Sequence, residues 1–372
     1  MYLADQGADV IKIEPPGGEI GRTIAMSPPI KDQSRAFWSL NRNKRSIVID
    51  LKSSDGVELV RDLARRADVL IHNFRPGVDE RLGIDYERLK QDNPGLVYAA
   101  YNAFGPEGPR RTARGYDLLV QAATGIAMRR TEADGGPQPI GIFAVDMASS
   151  ILAGYAVMLA LFKRERTGKG QKVTGSLLQT GLALQAPEAV RVAEIPEPPL
   201  DGSALRPAVF SHYRCADGRF VQISVASLAE WQSLCAAIGA KDLADDPALE
   251  SGTERVAQSA RLRAVLESVF ASQSAAHWQA EFDAHDCPGA LVETPESVFD
   301  STQVRANHAF VEVEQPGIGT ASILGVPFSL SDSPPNTFSA APELGQHTDE
   351  VLSELGLDAN AIARLRTAKT VA

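Results

Sequence analysis

Within the first 104 residues, four apolar, β-rich runs alternate with stretches of helical spacing, and this alternation limits the folds open to the chain. Val10–Glu14 reads as a strand, and SIVIDL (46–51) as another. SSDG then opens a helix through Arg66, with Val57, Leu59, Val60, Leu63 and Ala64 on its apolar face. ADVLIH (67–72) is the next strand, and LVYAAYNAF (96–104) follows a further helix and the turn Asn93-Pro94-Gly95. Strands alternating with helices of this length imply an α/β fold with a parallel sheet covered on both faces. No G-x-G-x-x-G follows any of these strands, and TGKGQK (167–172) lacks the spacing of a phosphate-binding loop. The sheet is therefore Rossmann-like in architecture without a dinucleotide fingerprint. Ligands of such sheets bind beyond the carboxyl ends of the strands, which points to the loops after His72 and Phe104.

Further along lies PIGIFAVDMASSILAGYAVMLALFKRERTGKGQKV, in which Asp146 is the only group charged at pH 7 between Asp134 and Lys163. Every residue from Ile151 to Phe162 is apolar, aromatic or Gly, a length that suits a helix buried in a core and is too short to cross a membrane. The polar cluster Lys163–Arg166 and the stops Gly168 and Gly170 close the helix, which is predicted to run from about Met147 to Arg166. Asp146 then falls at the N-cap, where its side chain would accept backbone N–H bonds and feel the positive helix end. Both effects favour the ionised form. Position alone fits a structural cap better than a catalytic group.

The composition is that of a soluble globular chain: 372 residues, 44% hydrophobic and 23% charged, enough for about two domains. A net charge of -10 argues against nucleic acid as a partner, because phosphate backbones need a basic face. Cys215, Cys235 and Cys287 show no close pairing and read as free thiols in a reducing compartment. The six histidines are scattered, and no set of ligands falls at zinc spacing, so no metal site is expected. MYLADQGADVIKIEPP has no basic secretory leader, and the expected compartment is the cytoplasm, with no membrane partner. The same opening reads as the tail of a helix already under way, so the first strand of a βαβ unit is expected to be missing.

A large domain is expected over 1–184 and a linker rich in Pro, Glu and Ala over 185–207. VFSHYRCADGRFVQISV (209–225) is a hairpin signal, two β-rich runs joined by Ala216-Asp217-Gly218. With helices near Leu228–Ile238 and Arg261–Phe270 it makes a smaller α+β domain over 208–300. Residues 301–372, including a helix over Asp349–Leu355, are expected to return to the large domain.

Six ordered blocks resemble the class III CoA-transferase family, also called the CaiB/BaiF or formyl-CoA transferase-like family. They are GADVIKIEPPGGEIGR, NRNKRSIVIDLKSSDG, ADVLIHNFRPGVDERLGIDYERLK, GYDLLVQAATG, the stretch from Asp146 to Gln171, and APELGQHTDEVLSELGL. The resemblance implies an interlocked homodimer, each chain built from a Rossmann-like large domain and a small domain. It implies transfer of CoA from an acyl-CoA donor to a carboxylic acid through aspartyl anhydride and thioester intermediates, with acyl-CoA as substrate and no permanently bound cofactor. Asp146 is the matching nucleophile, twenty-one residues before the TGKGQ turn. An Asp of ordinary pKa, about 3.9, would be ionised at pH 7 and need no general base. Backbone N–H groups at the helix start are expected to stabilise the oxyanion.

By the same resemblance the backbone from Ile49 to Leu51 with Lys52, the turn Asn73-Phe74-Arg75, Arg81 and Arg114 fall on CoA-contacting positions. The arginines suit phosphate because guanidinium pairs with it bidentately. Tyr116 and Asp117 would border the thioester. Tyr116 also bears on the alternative of an α-methylacyl-CoA racemase, since racemases of similar sequence carry His there as part of their acid/base pair. Tyr, with an ordinary pKa of about 10, replaces it poorly, which favours transfer. An inactive, truncated CoA-binding paralogue is the remaining alternative. No Gly-Gly pair occurs in 201–300, so formyl or oxalyl specificity is not implied.

Overall fold

The computed structural model describes residues 1–23, 29–31, 33–132, 135–195, 206–335 and 337–372. It divides into two compact units, Met1–Ser203 with His308–Ala372, and Ala204–Asn307. Of the linker expected over 185–207, residues 196–205 lie outside the described residues.

In the first unit β1 (Val10–Glu14) pairs in parallel with β2 (Lys44–Val48). A second parallel group places β4 (Val97–Asn102) between β3 (Val69–His72) and β5 (Lys172–Ser176). The α/β expectation therefore holds, with the strands in two hydrogen-bonded groups. Helices Ser54–Arg66, Tyr86–Asp92 and Ala144–Thr167 lie on the connections between them. β2 sits two to three residues earlier than the sequence suggests, because Asp50 turns the chain. Its carboxylate accepts the Lys52 N–H at 2.9 Å and its carbonyl accepts the Ser53 N–H at 3.1 Å. Ser53 then caps the next helix through the Gly56 N–H at 3.2 Å. Gly56 is needed there, since a Cβ would lie 2.2 Å from the Asp50 carbonyl oxygen.

Ile47, Ile49, Leu59, Val60, Leu96 and Tyr98 form the core of this unit with Val351, Leu352, Ile362 and Val371 from the C-terminal segment. Fully burying a side chain of this size contributes about 1.5–3 kcal/mol. A bridge between Ile49 and Val371 and the bond from Asp50 N–H to Thr370 O (2.8 Å) fix that segment against the end of β2. β5, unlike the other parallel strands, was not among the predicted ones, since KVTGS is too polar to signal itself. A hairpin of β9 (Phe310–Gln315) and β10 (Gly319–Leu324) completes the unit.

The long helix Ala144–Thr167 starts three residues before the predicted Met147 and is not buried all round. Val157 and Ala160 pack on Val97 and Ala99 of β4, and Arg164 pairs with Asp68 at 2.9 Å. Its opposite face is open: Ile151, Leu152, Tyr155, Met158, Leu159 and Phe162 are each at least 40% exposed. It has 24 residues, and its most apolar 18-residue stretch has a mean hydropathy of 1.7, which is long and apolar enough to cross a membrane. Here it forms the connection between β4 and β5 instead.

The second unit carries the expected hairpin as β6 (His212–Arg214) and β7 (Phe220–Ile223), with β8 (Gly289–Leu291) antiparallel on the other side of β7. Trp231, Leu234, Leu262, Leu266, Phe270 and Phe282 form the buried apolar core of this unit. All three cysteines are buried in this unit. Burial pushes Cys235 up to about 12 and Cys287 to about 11, which makes them packing groups rather than thiolate nucleophiles.

Candidate active site

The loop that leaves β4 builds the first half of the site. Gly115 lies so close to Ala103 that a Cβ would come within 2.2 Å of the alanine methyl, and this packs the 115–117 turn against the strand end. Tyr116 follows as the N-cap residue of the helix Asp117–Ala123, with its ring 58% exposed. Asp117 is fully buried. A buried carboxylate needs its oxygens satisfied, and this one has them satisfied. Oδ2 accepts the N–H groups of Val145 (2.8 Å) and Asp146 (2.9 Å), and Oδ1 accepts from the Gln121 side-chain amide at 2.5 Å. Gln121 in turn accepts the Ile140 N–H at 2.8 Å.

These bonds identify what caps the long helix. Its N-cap residue, Phe143, offers no side-chain acceptor, and Asp146 is the third helical residue rather than the cap. Asp117 supplies the cap from a different helix. The Ala144 N–H is donated to Ile142 O at 2.8 Å, so the first three helical amides are all occupied internally. They are not available as the oxyanion donors expected from sequence.

Released from capping, the Asp146 side chain accepts no hydrogen bond among the described residues, and it is only partly exposed. Burial, reinforced by the negative charge of Asp117, pushes its pKa up to about 6. This reverses the sequence expectation that the helix end would hold it low. At pH 7 roughly nine-tenths of such a group is still ionised. The result is a carboxylate with free lone pairs and more basicity than an ordinary Asp, which suits nucleophilic attack.

The remaining sequence-derived positions lie beyond the carboxyl ends of β2, β3 and β4. Ile49 is buried, with its N–H donated to Glu14 O at 3.0 Å, and Lys52 is exposed in the turn that follows. Asn73 and Arg75 are exposed and Phe74 half-buried just after β3. Arg81 projects from the helix Val78–Leu82, and Arg114 from the loop after β4. Arg75 donates to Thr112 O at 3.3 Å, which joins the loop after β3 to the Arg114 loop. No contact joins Asp146 to any of these cations among the described residues. None of Lys52, Arg75, Arg81 and Arg114 has a carboxylate partner among the described residues, whereas Arg45 has three. A cavity of about 250 Å³ lined by Arg22, Phe37, Trp38 and Pro342 involves none of these residues. Its guanidinium is occupied by both oxygens of Glu14, at 2.7 Å.

The sequence sets Asp117 beside Tyr116 at the thioester, whereas the structure buries it as the cap of the long helix, held by Gln121, a residue the sequence does not single out. GYDLLVQ (115–121) shows an acid and an amide one helical turn apart, but nothing in it names an acceptor of amides some thirty residues downstream.

The family model described as CoA-transferase family III matches residues 1–348. The succinate–glutarate CoA-transferase of Agrobacterium fabrum is 32% identical, over 95% of this chain and 90% of that protein. The formyl-CoA:oxalate CoA-transferase of Streptomyces avermitilis is 33% identical, over 99% and 93%. Among solved structures, a CaiB/BaiF family protein from Brucella suis matches with a TM-score of 0.82 and 31% identity, over 95% of this chain and 93% of the other. A hypothetical protein from Mycobacterium tuberculosis matches with a TM-score of 0.83 and 30% identity, over 94% and 93%.

Proposed function

Because the chain belongs to CoA-transferase family III, with CoA transfer as its reaction class, we propose that Asp146 is the covalent nucleophile of that transfer. The observation that carries the reading is the pair at the head of the long helix: Asp117 takes the capping bonds, and Asp146 keeps its carboxylate unbonded and raised to about 6. Asp146 attacks the donor thioester carbonyl, the C–S bond breaks, and CoA leaves as thiolate with an acyl-aspartyl anhydride behind it. The thiolate then attacks the aspartyl carbonyl, which releases the donor acid and leaves an aspartyl-CoA thioester. The acceptor carboxylate displaces CoA from that thioester to form a second anhydride. Attack by the thiolate on the acceptor carbonyl gives the new acyl-CoA and restores Asp146.

Lys52, Arg75, Arg81 and Arg114 hold the phosphates of CoA in this reading, and Tyr116 borders the thioester. The class of acceptor is a carboxylic acid; the relatives' names pair several dicarboxylates, among them succinate with glutarate and succinate with mesaconate. The enzyme works in the cytoplasm as a homodimer, and the support for a second copy is the open apolar face of the long helix. Contiguous exposed apolar surface of this kind marks interfaces on soluble proteins.

The test is a panel of acyl-CoA donors with mono- and dicarboxylate acceptors, with the product acyl-CoA identified by mass and the solution mass of the enzyme measured alongside. Acceptor-dependent exchange of CoA on a dimer is expected. Deuterium entering the α-position of a 2-methylacyl-CoA without any acceptor would instead establish the racemase chemistry.

A further inference from the structure

β3 ends at His72, and the geometry around this ring gives it a task that the transfer chemistry does not include. Its side chain is 8% exposed. It stacks on Phe74 at 4.9 Å and meets Tyr98 edge-on at 5.1 Å. Nδ1 accepts the Phe74 N–H at 3.1 Å, which closes a side-chain turn around Asn73. A ring nitrogen that accepts carries no proton, so the neutral ring keeps its proton on Nε2. Nε2 lies 3.7 Å from Asp79 Oδ2, beyond hydrogen-bond reach, and has no partner among the described residues. Asp79 Oδ2 already accepts from the Tyr98 hydroxyl at 2.9 Å.

We propose that His72 is a positioning residue for acyl-CoA: as a neutral acceptor it fixes the Asn73-Phe74-Arg75 turn, and its protonation releases that turn. The proposal rests on the reading that this turn contacts CoA. Protonation would place a second N–H at Nδ1, directly against the Phe74 N–H, so the bond that shapes the turn is lost. The charged groups around the ring are Asp79 on the helix Val78–Leu82, which favours the imidazolium, and Lys172 on β5, which opposes it. Glu80 bonds to Asp79 and is itself pushed up by it. Burial outweighs Asp79 and holds His72 below its ordinary value, which keeps the ring neutral at pH 7 and the turn intact.

Calorimetric binding of CoA to the full chain at pH 7.5 and 5.5 tests this, with wild type, His72→Asn, His72→Leu and Arg75→Ala compared. Asn offers an oxygen to the Phe74 N–H and does not titrate, so H72N is expected to bind like wild type at pH 7.5. Because CoA phosphate also titrates in this range, the readout is the difference between wild type and H72N. Wild type should lose more affinity on acidification than H72N, and H72L should be weakened roughly three- to tenfold at pH 7.5. Saturating kcat at pH 7.5 should be unchanged in both, which a merely structural role would not preserve. H72L binding like wild type while R75A is weakened would overturn the role of His72 alone. Both variants binding like wild type would overturn the reading of the turn as a CoA contact, and the proposal with it.

Discussion

The turn into the helix Asp117–Ala123 and the turn into the long helix carry one acid each and treat them in opposite ways. Asp117 is fully buried and accepts from three donors: two backbone N–H groups and a side-chain amide. Asp146 is less buried and has no donor at all among the described residues, and burial with the charge of Asp117 raises its pKa to about 6. The difference teaches that burial alone does not decide what a carboxylate does. A satisfied acid holds structure in place, and an unsatisfied one beside it stores basicity.

The comparison breaks most sharply on substitution of each acid. Asp146→Asn should lower transferase kcat by roughly 10³-fold or more while leaving CoA binding intact, as steady-state kinetics and calorimetry would show. Wild-type rates from Asp146→Asn would mean the two acids had been assigned the wrong way round. Asp117→Ala should lower kcat by a smaller factor, roughly 10- to 100-fold, through misplacement of Asp146. It should also reduce stability, since two buried amides lose their acceptor at about 1–3 kcal/mol each. Denaturant titration measures the second effect, and an unchanged midpoint would contradict the capping role.

A middle-sized effect is expected at the cations. Arg75→Ala, Arg81→Ala and Arg114→Ala should each raise KM for acyl-CoA about tenfold with little change in kcat, the loss of one charge-assisted hydrogen bond. A fall in kcat at constant KM would move them from phosphate binding into the chemistry.

The smallest effect is a pH-dependent stability difference. Asp146 has a folded pKa of about 6, above its ordinary 3.8, so its favourable contribution is complete below 3.8 and is lost as pH rises through 6. Asp146→Asn does not ionise. Its melting temperature should therefore exceed that of wild type by a few degrees at pH 8, with the gap closing below pH 4. An equal gap at both pH values would show that Asp146 is not raised.

Much of this was legible in the sequence, and for identifiable reasons. Val10–Glu14 declares β1 to the residue because its alternation ends at Pro15, and the Ala216-Asp217-Gly218 turn announces the β6–β7 hairpin. The address of Asp146, just before an apolar run that ends at the charged cluster Lys163–Arg166, was equally plain. What failed were features that depend on distant partners. The helix start lies at Ala144 rather than Met147 because its cap comes from Asp117, and the pKa of Asp146 is raised by burial and by the charge of that same partner. Likewise, an unbroken apolar run over Ile151–Phe162 looks the same in sequence whether its second face meets a core or a partner. Here one face meets β4 and the other is open.

The claim on which all of this turns is that Asp146, not Asp117, becomes covalently acylated. The direct measurement is to incubate the enzyme with its acyl-CoA donor and hydroxylamine, digest it, and find by mass spectrometry which aspartate has become a hydroxamate. Modification confined to Asp146, and absent without donor, is the result this account predicts. A hydroxamate on Asp117, or turnover with neither residue modified, would contradict it.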